Sequence, residues 1–427
     1  MYVESVAMTD FRCFEEASTT FVYPGAAALP EGALPNVTLL IGINGAGKTS
    51  LLKALALGLL ANGIHSLGYI PYSLIRVDQK KSIQRSQFRC RAIPGTDEER
   101  RRLFDMNVAR NDSTTPRMLN PVRLLANPHS FSNRFEGPEK WLLEMKSNGR
   151  VSSVEMSPGV GDEDFHSEQS PNYFLLGYGA SRRPEYLENL DSQRSRRRHP
   201  RFQRVAGLFE EFITLHPLAA WYPPLKSKVR AKEVRELLNG LLPGRMQFTG
   251  ECEGGEGLFD SEGVTLPFGA LSDGFRSYIG LLADMIHNMH SVTPKGKLTD
   301  LAGVVMIDDI DVHLHPAWQR EIVPKLASTF PKMQFIITTH SPLVVGTVHA
   351  SNIRVVEDNQ IREFTEQTDG RSADQILMSS YFGLDSPRSP ATEKKLKKIA
   401  KRASASHDPK AAVDFLKELT SNRNGKK

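Results

Sequence analysis

The sequence has few cysteines and no long apolar run, and each absence excludes a class of protein. Its 427 residues include three cysteines, Cys13, Cys90 and Cys252, which lie far apart and suggest neither a CxxC metal site nor a disulfide framework. A reducing cytoplasm therefore fits the chain best. No stretch approaches the roughly 18 to 20 uninterrupted apolar residues that cross a bilayer, and no basic and apolar leader opens the chain. We therefore expect neither a membrane protein nor a secreted one.

The charge of the chain is nearly balanced. Fifty-four Lys and Arg residues against 49 Asp and Glu residues give a net charge of +5, which permits contact with nucleic acid without requiring it. Two basic clusters stand out. The run from Arg194 to Arg201 can be a phosphate-binding segment or a solvated loop, because no aromatic side chains accompany its charges. The run from Lys394 to Arg402 favours a solvated helix face.

The stretch from Gly42 to Thr49 matches the pattern G-x-x-x-x-G-K-[ST]. It lies between an apolar run at Val37 to Ile41 and leucines at helical spacing up to Leu60, which is the strand, loop and helix context that a phosphate-binding loop requires. Backbone amides and the helix N-terminus then face the phosphates. Lys48 is expected to reach the β- and γ-phosphates and Thr49 to bind Mg²⁺. The predicted nucleotide contacts in this loop are Asn44, Gly45, Ala46, Gly47, Lys48, Thr49 and Ser50.

Two acids end a second apolar run, Val304 to Ile307, which predicts another buried strand. Asp308 is expected to hold the water shell of Mg²⁺ beside the threonine of the loop. Asp309 is expected to orient the attacking water, a positioning function on which phosphoryl transfer depends. His340 follows the next predicted strand, where its imidazole can hydrogen-bond a γ-phosphate. The predicted catalytic residues are therefore Lys48, Asp309 and His340.

Together these motifs resemble the ABC-type ATPase heads of the RecF, SMC and OLD-like group. Gly42 to Thr49 resembles Walker A, Ile307 to Asp309 resembles Walker B, and Leu271 to Gly274 resembles the signature motif. His340 resembles the switch histidine, and Phe11 to Phe14 resembles an N-terminal FR-x-F element. The order of the motifs also matches from residue 1 to about residue 357.

Two further runs resemble the stand-alone ATPases of bacterial defence systems, those of Septu and of retrons. They extend from Asp308 to Pro316 and from Ser372 to Leu377. His313 and His315 lie in the first run, where the resemblance implies a D-loop-like turn rather than a metal site, since no third ligand is near.

The resemblance implies an α/β fold: an ABC-type P-loop ATPase head with a mixed sheet, crossover helices and an inserted helical and β region. The N-terminal part of the head with Walker A is expected at 1–68, and the insertion at 69–265, with a core strand near 172–179. The C-terminal part of the head, with signature, Walker B and switch histidine, is expected at 266–370. A basic helical tail is expected at 371–427.

The resemblance further implies a nucleotide sandwich between two subunits, with ATP and Mg²⁺ as cofactors. Ser272 and the backbone of Gly274 in one subunit contact the γ-phosphate that Lys48 of the other holds, so a homodimer or higher homo-oligomer is expected. Asp309 stands where these ATPases usually carry glutamate, and its shorter side chain predicts slow turnover. No glutamine directly follows the strand near 172–179, and Gln193 is only a weak candidate for the glutamine loop.

Three functions remain open at this stage. The first is an ATPase that regulates a separately encoded effector, such as an HNH nuclease, in anti-phage defence or DNA surveillance. The second is a RecF-like repair ATPase that binds DNA, and the third is an ATP-gated scaffold that hydrolyses slowly and holds an effector inactive. The absence of sustained heptads between Lys48 and Ser272 excludes a long SMC-type arm. No acidic D-x-D cluster follows Ser341, so an OLD-type Toprim nuclease domain is not expected.

Overall fold

The structure, a computed structural model, describes residues 1–26, 29–60, 84–93, 102–110, 130–135, 141–147, 150–157, 174–184, 200–211, 213–406 and 413. The chain divides into two compact units, Met1–Arg371 and Ser372–Lys427. Within the residues just given, no helix combines the length and the apolar character that a membrane span needs.

The secondary-structure elements are numbered in chain order within the described residues. The strands are β1 Tyr2–Phe11, β2 Phe14–Thr20, β3 Val37–Ile41, β4 Gln84–Ile93, β5 Arg102–Arg110, β6 Ser130–Phe135, β7 Trp141–Ser147, β8 Arg150–Ser157, β9 Phe174–Tyr178, β10 Arg183–Pro184, β11 Thr214–Leu215, β12 Met246–Glu253, β13 Glu256–Ser261, β14 Val264–Pro267, β15 Gly303–Ile307, β16 Met333–Thr338, β17 Ile353–Glu357 and β18 Gln360–Arg362. The α-helices are α1 Lys48–Leu60, α2 Pro200–Gln203, α3 Leu218–Trp221, α4 Lys228–Leu241, α5 Asp273–Val292, α6 Pro316–Gln319, α7 Ile322–Thr329, α8 Pro342–Val345, α9 Ala373–Leu377 and α10 Pro390–Ser406.

A six-stranded mixed sheet is the centre of the first unit. Its strand order is β18-β17-β3-β16-β15-β9, and all neighbouring strands are parallel except β17 and β18. Strands β3, β9, β15 and β16 are buried along their whole length, which explains why the sequence shows them as continuous apolar runs. Parallel strands bring their carboxyl ends to one edge, so the loops that follow these four strands meet there. The predicted α/β fold with a mixed sheet is confirmed.

The N-terminal hairpin, β1 and β2, continues into a seven-stranded antiparallel sheet with the order β2-β1-β4-β5-β8-β7-β6. Most of these strands come from the predicted insertion. The sequence pattern predicts a hairpin over residues 1–25 and strands over 82–92, 141–145 and 151–156, and the structure has β1, β2, β4, β7 and β8 in these regions. Strands β5 and β6 were missed because charged and turn-forming residues flank or interrupt their apolar positions. The buried Gln334 of β16 ties β1 to the central sheet: its amide donates to the carbonyl of Val3 at 2.8 Å and accepts from the Val3 N–H at 2.7 Å.

The main core lies between the hairpin, helix α1 and the central sheet. The leucines that the sequence placed at helical spacing are all buried in it, as are the inward residues of β1. Members of this core from all three layers include Val3, Val6, Met8, Phe11, Phe14, Leu51, Leu55, Leu59, Val304, Met306 and Ile336. Because helix α1 is buried on nearly every side, the P-loop that precedes it has a rigid base.

Apolar residues recur at helical spacing over 202–215, and residues 318–329 also read as one helix, but both of these predicted helices are broken in the structure. The region from Phe202 to Leu215 forms α2, a 3₁₀ turn at Ala206–Leu208 and strand β11 instead of one helix. The chain there runs against the backbone of β9: a Cβ atom on Gly179 would lie 2.1 Å from the carbonyl oxygen of Gly207. So close an approach requires irregular backbone, which apolar spacing does not reveal.

The predicted helix from Trp318 to Thr329 is also divided, between α6 and α7. Pro324 lies in the first turn of α7, where the missing N–H of proline is tolerated, whereas a helix continuing from α6 would have needed that donor. The sequence therefore placed a helix correctly over the second half of this region and overlooked the break.

The second unit contains α9 and α10. A capping box begins α9, in which the side chain of Ser372 accepts from the backbone of Gln375 and the Gln375 side chain accepts from the Ser372 N–H. The lysines of α10 at positions 394, 395, 397, 398 and 401 are exposed. Of the other basic cluster, Arg194 to Arg201, residues 194–199 lie outside the described residues.

Candidate nucleotide-binding site

The P-loop joins β3 to α1 at the carboxyl edge of the sheet and needs glycine at two points. A Cβ atom on Gly42, whose φ is +152°, would lie 2.2 Å from the carbonyl oxygen of Val356, and one on Gly47, with φ +114°, would lie 2.4 Å from Sγ of Cys13. Cβ atoms do not approach other atoms so closely, so both positions exclude a side chain. Cys13 Sγ also donates to the carbonyl of Ala46 at 3.4 Å. The turn of the N-terminal hairpin therefore supports the loop.

Lys48 lies across the P-loop. Its Nζ donates to the carbonyls of Gly42 at 2.9 Å and Ile43 at 3.1 Å. Burial lowers the pKa of the Lys48 amine, and the acids across from it, Asp309 first, act in the opposite direction. Within the loop, Asn44 and Gly45 are exposed, whereas Ala46, Gly47, Thr49 and Ser50 are half-buried. An ammonium group bonded to loop carbonyls can exchange these for phosphate oxygens.

The carboxylate of Asp308 joins the P-loop to the neighbouring strand. Thr49 Oγ1 donates to Asp308 Oδ2 at 2.7 Å, and Thr338 Oγ1 donates to Oδ1 at 2.7 Å. The Asp308 N–H donates to the carbonyl of Tyr178 at 2.8 Å, and its side chain is buried. The structure thus brings Thr49 and Asp308 together, although they lie 259 residues apart. A hydroxyl and a carboxylate are hard oxygen donors, so this pair fits Mg²⁺ with its water shell.

Asp309 has a left-handed backbone conformation and a partly exposed carboxylate. Its φ of +45° lies in the left-handed region, and its N–H donates to Thr338 Oγ1 at 2.7 Å. Arg182 Nη2 donates to the Asp309 carbonyl at 2.6 Å. His340 Nε2 lies 3.8 Å from Asp309 Oδ1, and the two side chains keep exposed fractions of 33% and 27%. Burial, and then the charge of Asp308, raise the pKa of Asp309.

The loop that carries His340 is held by side chains from two other segments. Asp311 Oδ1 accepts from the His340 N–H at 3.3 Å and from the Thr339 hydroxyl. Ser341 Oγ donates to Gln319 Oε1 at 2.6 Å. These bonds fix the backbone on both sides of the histidine while its ring stays accessible.

The signature residues lie at the start of α5. Ser272 is the N-cap residue of this helix, but its side chain makes no capping hydrogen bond and is exposed. Asp273 pairs with Arg276 instead. A Cβ atom on Gly274 would lie 2.7 Å from the carbonyl oxygen of His313, so the signature packs against the turn after Walker B. No hydrogen bond joins Ser272 to the P-loop within the part of the chain that the structure describes.

A polar cluster around the buried Asp284 lies behind Asp308; we call it the Asp284 cluster, and it consists of Tyr178, His216, Asp284, His287 and Asn288. Tyr178 and Asn288 are buried, His287 is half-buried and His216 is exposed. Asp284 Oδ1 accepts from the His216 backbone at 2.8 Å and lies 2.7 Å from His216 Nδ1. Its Oδ2 accepts from the Tyr178 hydroxyl at 2.6 Å and from Asn288 Nδ2 at 2.9 Å. Burial acts to raise the pKa of Asp284, but the bonds from His216 and Tyr178 outweigh it and lower the pKa.

Sequence reasoning missed three residues that build the site: Arg182, Asp311 and Thr338. Each lies at or just beyond the carboxyl end of a buried parallel strand, respectively β9, β15 and β16. That position was the signal that could have found them, because polar side chains at this edge face the P-loop. The proposed glutamine-loop residue, Gln193, lies outside the described residues.

Curated relatives match this chain over different lengths. The Septu protein PtuA of Bacillus mycoides (strain KBAB4) is 25% identical over 393 residues, which cover 90% of this chain and 45% of that protein. The Retron Ec83 probable ATPase of Escherichia coli is 39% identical over 104 residues, which cover 24% of this chain and 19% of that protein. The matched part therefore spans less than half of either relative.

A protein-family model, "AAA domain, putative AbiEii toxin, Type IV TA system", matches residues 162–346, a segment that includes Ser272, Asp308, Asp309 and His340. Among solved structures, the SMC head domain from Thermotoga maritima is similar, with 12% identity and a TM-score of 0.42 over 85% of this chain and 99% of that domain. The resemblance that the motifs carried is confirmed: this chain is a homologue of Septu PtuA proteins and retron ATPases, with the P-loop fold of an ABC-like ATPase.

Proposed function

We propose that this protein binds and hydrolyses ATP, assembles through nucleotide sandwiches and regulates a separately encoded effector in the cytoplasm. The observation that carries the first part is the carboxylate of Asp308, which is bonded to both Thr49 and Thr338 beside the P-loop lysine. This arrangement joins the phosphate-binding loop to an acid at the edge of the sheet, where a nucleotide with Mg²⁺ would bind.

Each residue then has a distinct task. The backbone amides of the P-loop and the Nζ of Lys48 bind the phosphates. Thr49 and Asp308 would hold Mg²⁺, which, when bound, neutralises charge on the phosphate oxygens. Asp309 orients the attacking water, and His340 donates a hydrogen bond to the γ-phosphate from its fixed loop. Exclusion of bulk water by a second subunit strengthens all these interactions.

The proposed sandwich is supported by the exposed half-site at the start of α5. Ser272 is exposed, and its side chain makes no capping hydrogen bond to helix α5. Its hydroxyl is therefore available to a phosphate held by another copy. Ile43, at the tip of the P-loop, is 75% exposed although it is apolar. A single exposed apolar side chain is common on protein surfaces, so the support for the sandwich comes from Ser272.

The effector and the biological setting rest on the relatives. Septu PtuA and the retron ATPases are named for defence systems, and the effector proposed here is a nuclease such as an HNH nuclease. This protein covers less than half of those relatives, so the partner is proposed for it and not transferred from them.

Hydrolysis and assembly can be tested on the purified chain. We expect Mg²⁺-dependent release of phosphate from ATP that Lys48→Ala abolishes, and a shift from monomer to dimer or higher oligomer by light scattering when ATP is added. Failure of ATP to bind would overturn the whole proposal, and an unchanged mass with bound ATP would overturn the sandwich. Co-purification with the product of the adjacent gene tests the effector.

A slow ATP-gated scaffold is the second candidate, and Asp309 is the observation that favours it. Its side chain is one methylene shorter than glutamate, so its carboxylate reaches less far toward a water at the γ-phosphate. Tight ATP-dependent assembly with hardly measurable turnover would select the scaffold. Salt-dependent affinity for DNA in the purified protein would select the RecF-like repair ATPase instead.

A further inference from the structure

Arg182 is a buried cation that none of the sequence motifs includes. It follows β9, the strand beside β15, and only 6% of it is exposed. Burial lowers the pKa of its guanidinium to about 10, while Asp308, Asp309 and Asp311 act to raise it, so the group stays charged at neutral pH. A buried charge requires partners, and these three acids are its nearest compensation.

The contact that Arg182 makes is specific. Its Nη2 donates to the backbone carbonyl of Asp309 at 2.6 Å, while the N–H of the same residue donates to Thr338 Oγ1 at 2.7 Å. Asp309 is therefore held on both sides in its left-handed conformation, which residues other than glycine rarely adopt. The direction of a short side chain depends strongly on its backbone, so these two bonds determine where the carboxylate points.

Lys48 and Arg182 are expected to respond differently when a nucleotide binds. Lys48 is bonded to loop carbonyls and is expected to move to phosphate oxygens. Arg182 is buried and bonded to the backbone carbonyl of Asp309, so it stays in place when a nucleotide binds. Its Nη1 is buried without a hydrogen-bond partner among the described residues, an arrangement that is costly for a residue that serves stability alone.

We propose that Arg182 is a positioning residue that fixes the Asp309 backbone so that the carboxylate meets the attacking water. This inference rests on the proposed ATP hydrolysis and deepens it. The bond from Arg182 compensates for the short side chain of Asp309, because a fixed backbone limits the directions in which that carboxylate can point.

Arg182→Met, which keeps most of the side-chain volume and removes the charge and the donors, tests this inference. We expect kcat to fall by about 10- to 100-fold, as for residues that orient a catalytic group, with the Kd for ATP changed less than about threefold. Arg182→Lys keeps the charge and one donor, and it should recover about half of the loss on a logarithmic scale. Arg230→Met is the matched control, because Arg230 is equally buried and donates to the carbonyls of Thr293 and Gly296.

The control variant should lower the melting temperature without changing kcat. Arg182→Met in an Asp309→Asn background gives the decisive comparison, measured in single-turnover reactions. If Arg182 acts through Asp309, it should change the residual rate less than about twofold there. Equal losses in both backgrounds, or a loss of ATP binding that matches the loss of rate, would overturn the inference alone. No hydrolysis by the unaltered protein, with Lys48→Ala indistinguishable from it, would overturn the proposed activity as well.

Discussion

Asp284 and Asp309 differ in burial, in hydrogen bonding and in the direction in which the pKa of each is shifted. Asp284 lies on α5 behind the site, and four hydrogen-bond contacts from His216, Tyr178 and Asn288 occupy both of its oxygens. Asp309 lies at the edge of the sheet, and among the described residues its carboxylate has a weak side-chain contact at 3.3 Å from Thr338 Oγ1 besides the more distant His340. The pKa of Asp284 is lowered and that of Asp309 is raised.

The difference separates an acid that stabilises the fold from one that is available for chemistry. A carboxylate whose oxygens are all bonded gains little from a ligand, and it loses stability when it is altered. A strained, half-exposed carboxylate contributes little to folding and can accept a proton or orient water. Tyr178 connects Asp284 to the residue before Asp309, because its hydroxyl donates to Asp284 and its carbonyl accepts from the N–H of Asp308. The comparison predicts opposite outcomes for equivalent substitutions.

The largest expected effect is that of Asp309→Asn. We expect kcat for ATP to fall by about 10² to 10⁴-fold, the usual contribution of a group that handles the proton of the nucleophile, with no loss of melting temperature. Phosphate release and thermal unfolding measure the two outcomes. Asp358→Asn is the control, because Asp358 has φ +47° at the exposed turn between β17 and β18. A normal rate in Asp309→Asn would remove this residue from the mechanism.

The next effect tests whether the open site is completed by a second copy. Lys48→Ala and Ser272→Arg should each be inactive alone, because one removes the phosphate ligand and the other fills the half-site on the facing subunit. In an equimolar mixture, half of the dimers contain both variants and one intact composite site, so roughly a quarter of the original rate should return. An inactive mixture that still forms dimers would contradict the shared site.

A smaller effect, on stability and not on rate, is expected for Asp284→Asn. The new amide nitrogen must face a donor, either the Asn288 Nδ2 group or the His216 N–H, so the free energy of unfolding should fall by about 2 to 3 kcal/mol. Asp300→Asn, at an exposed pair with Lys332, should leave the melting temperature unchanged. A fall in the kcat of Asp284→Asn that exceeds the fall in its folded fraction would contradict a purely structural function for Asp284.

The smallest effect is a pH dependence that arises in the same cluster. Burial, and then the neighbouring His216, lower the pKa of His287 from its ordinary 6.5 to about 4. The unfolded chain therefore takes up a proton that the folded chain refuses, so stability is lost as the pH falls from about 6.5 toward 4. Between pH 7 and pH 5 this amounts to about 2 kcal/mol of unfolding free energy. His287→Phe should flatten that part of the curve in urea unfolding, and an unchanged slope would contradict the assignment.

Local patterns predicted much of the fold. The strands of the central sheet near 37–41, 174–178 and 303–307, the strand before His340 and the helix after the P-loop were predicted, because buried strands and helices repeat their apolar residues at fixed spacing. The breaks in the helical regions near Gly207 and Pro324 were missed, since they result from close backbone contacts and from a helix boundary that apolar spacing does not show. Strands β5 and β6 were missed because their apolar positions are too few to stand out.

Residue type and position after a strand were enough to predict a nucleotide edge, with Lys48, Thr49, Asp308, Asp309 and His340 as its functional residues. The tertiary structure alone decided what holds them. Thr338, Arg182 and Asp284 act through hydrogen bonds to residues distant in the chain, and no local period records such contacts. Parallel strands bring those distant residues to one edge, so the partners of each acid follow from the order of the strands and not from the neighbouring letters.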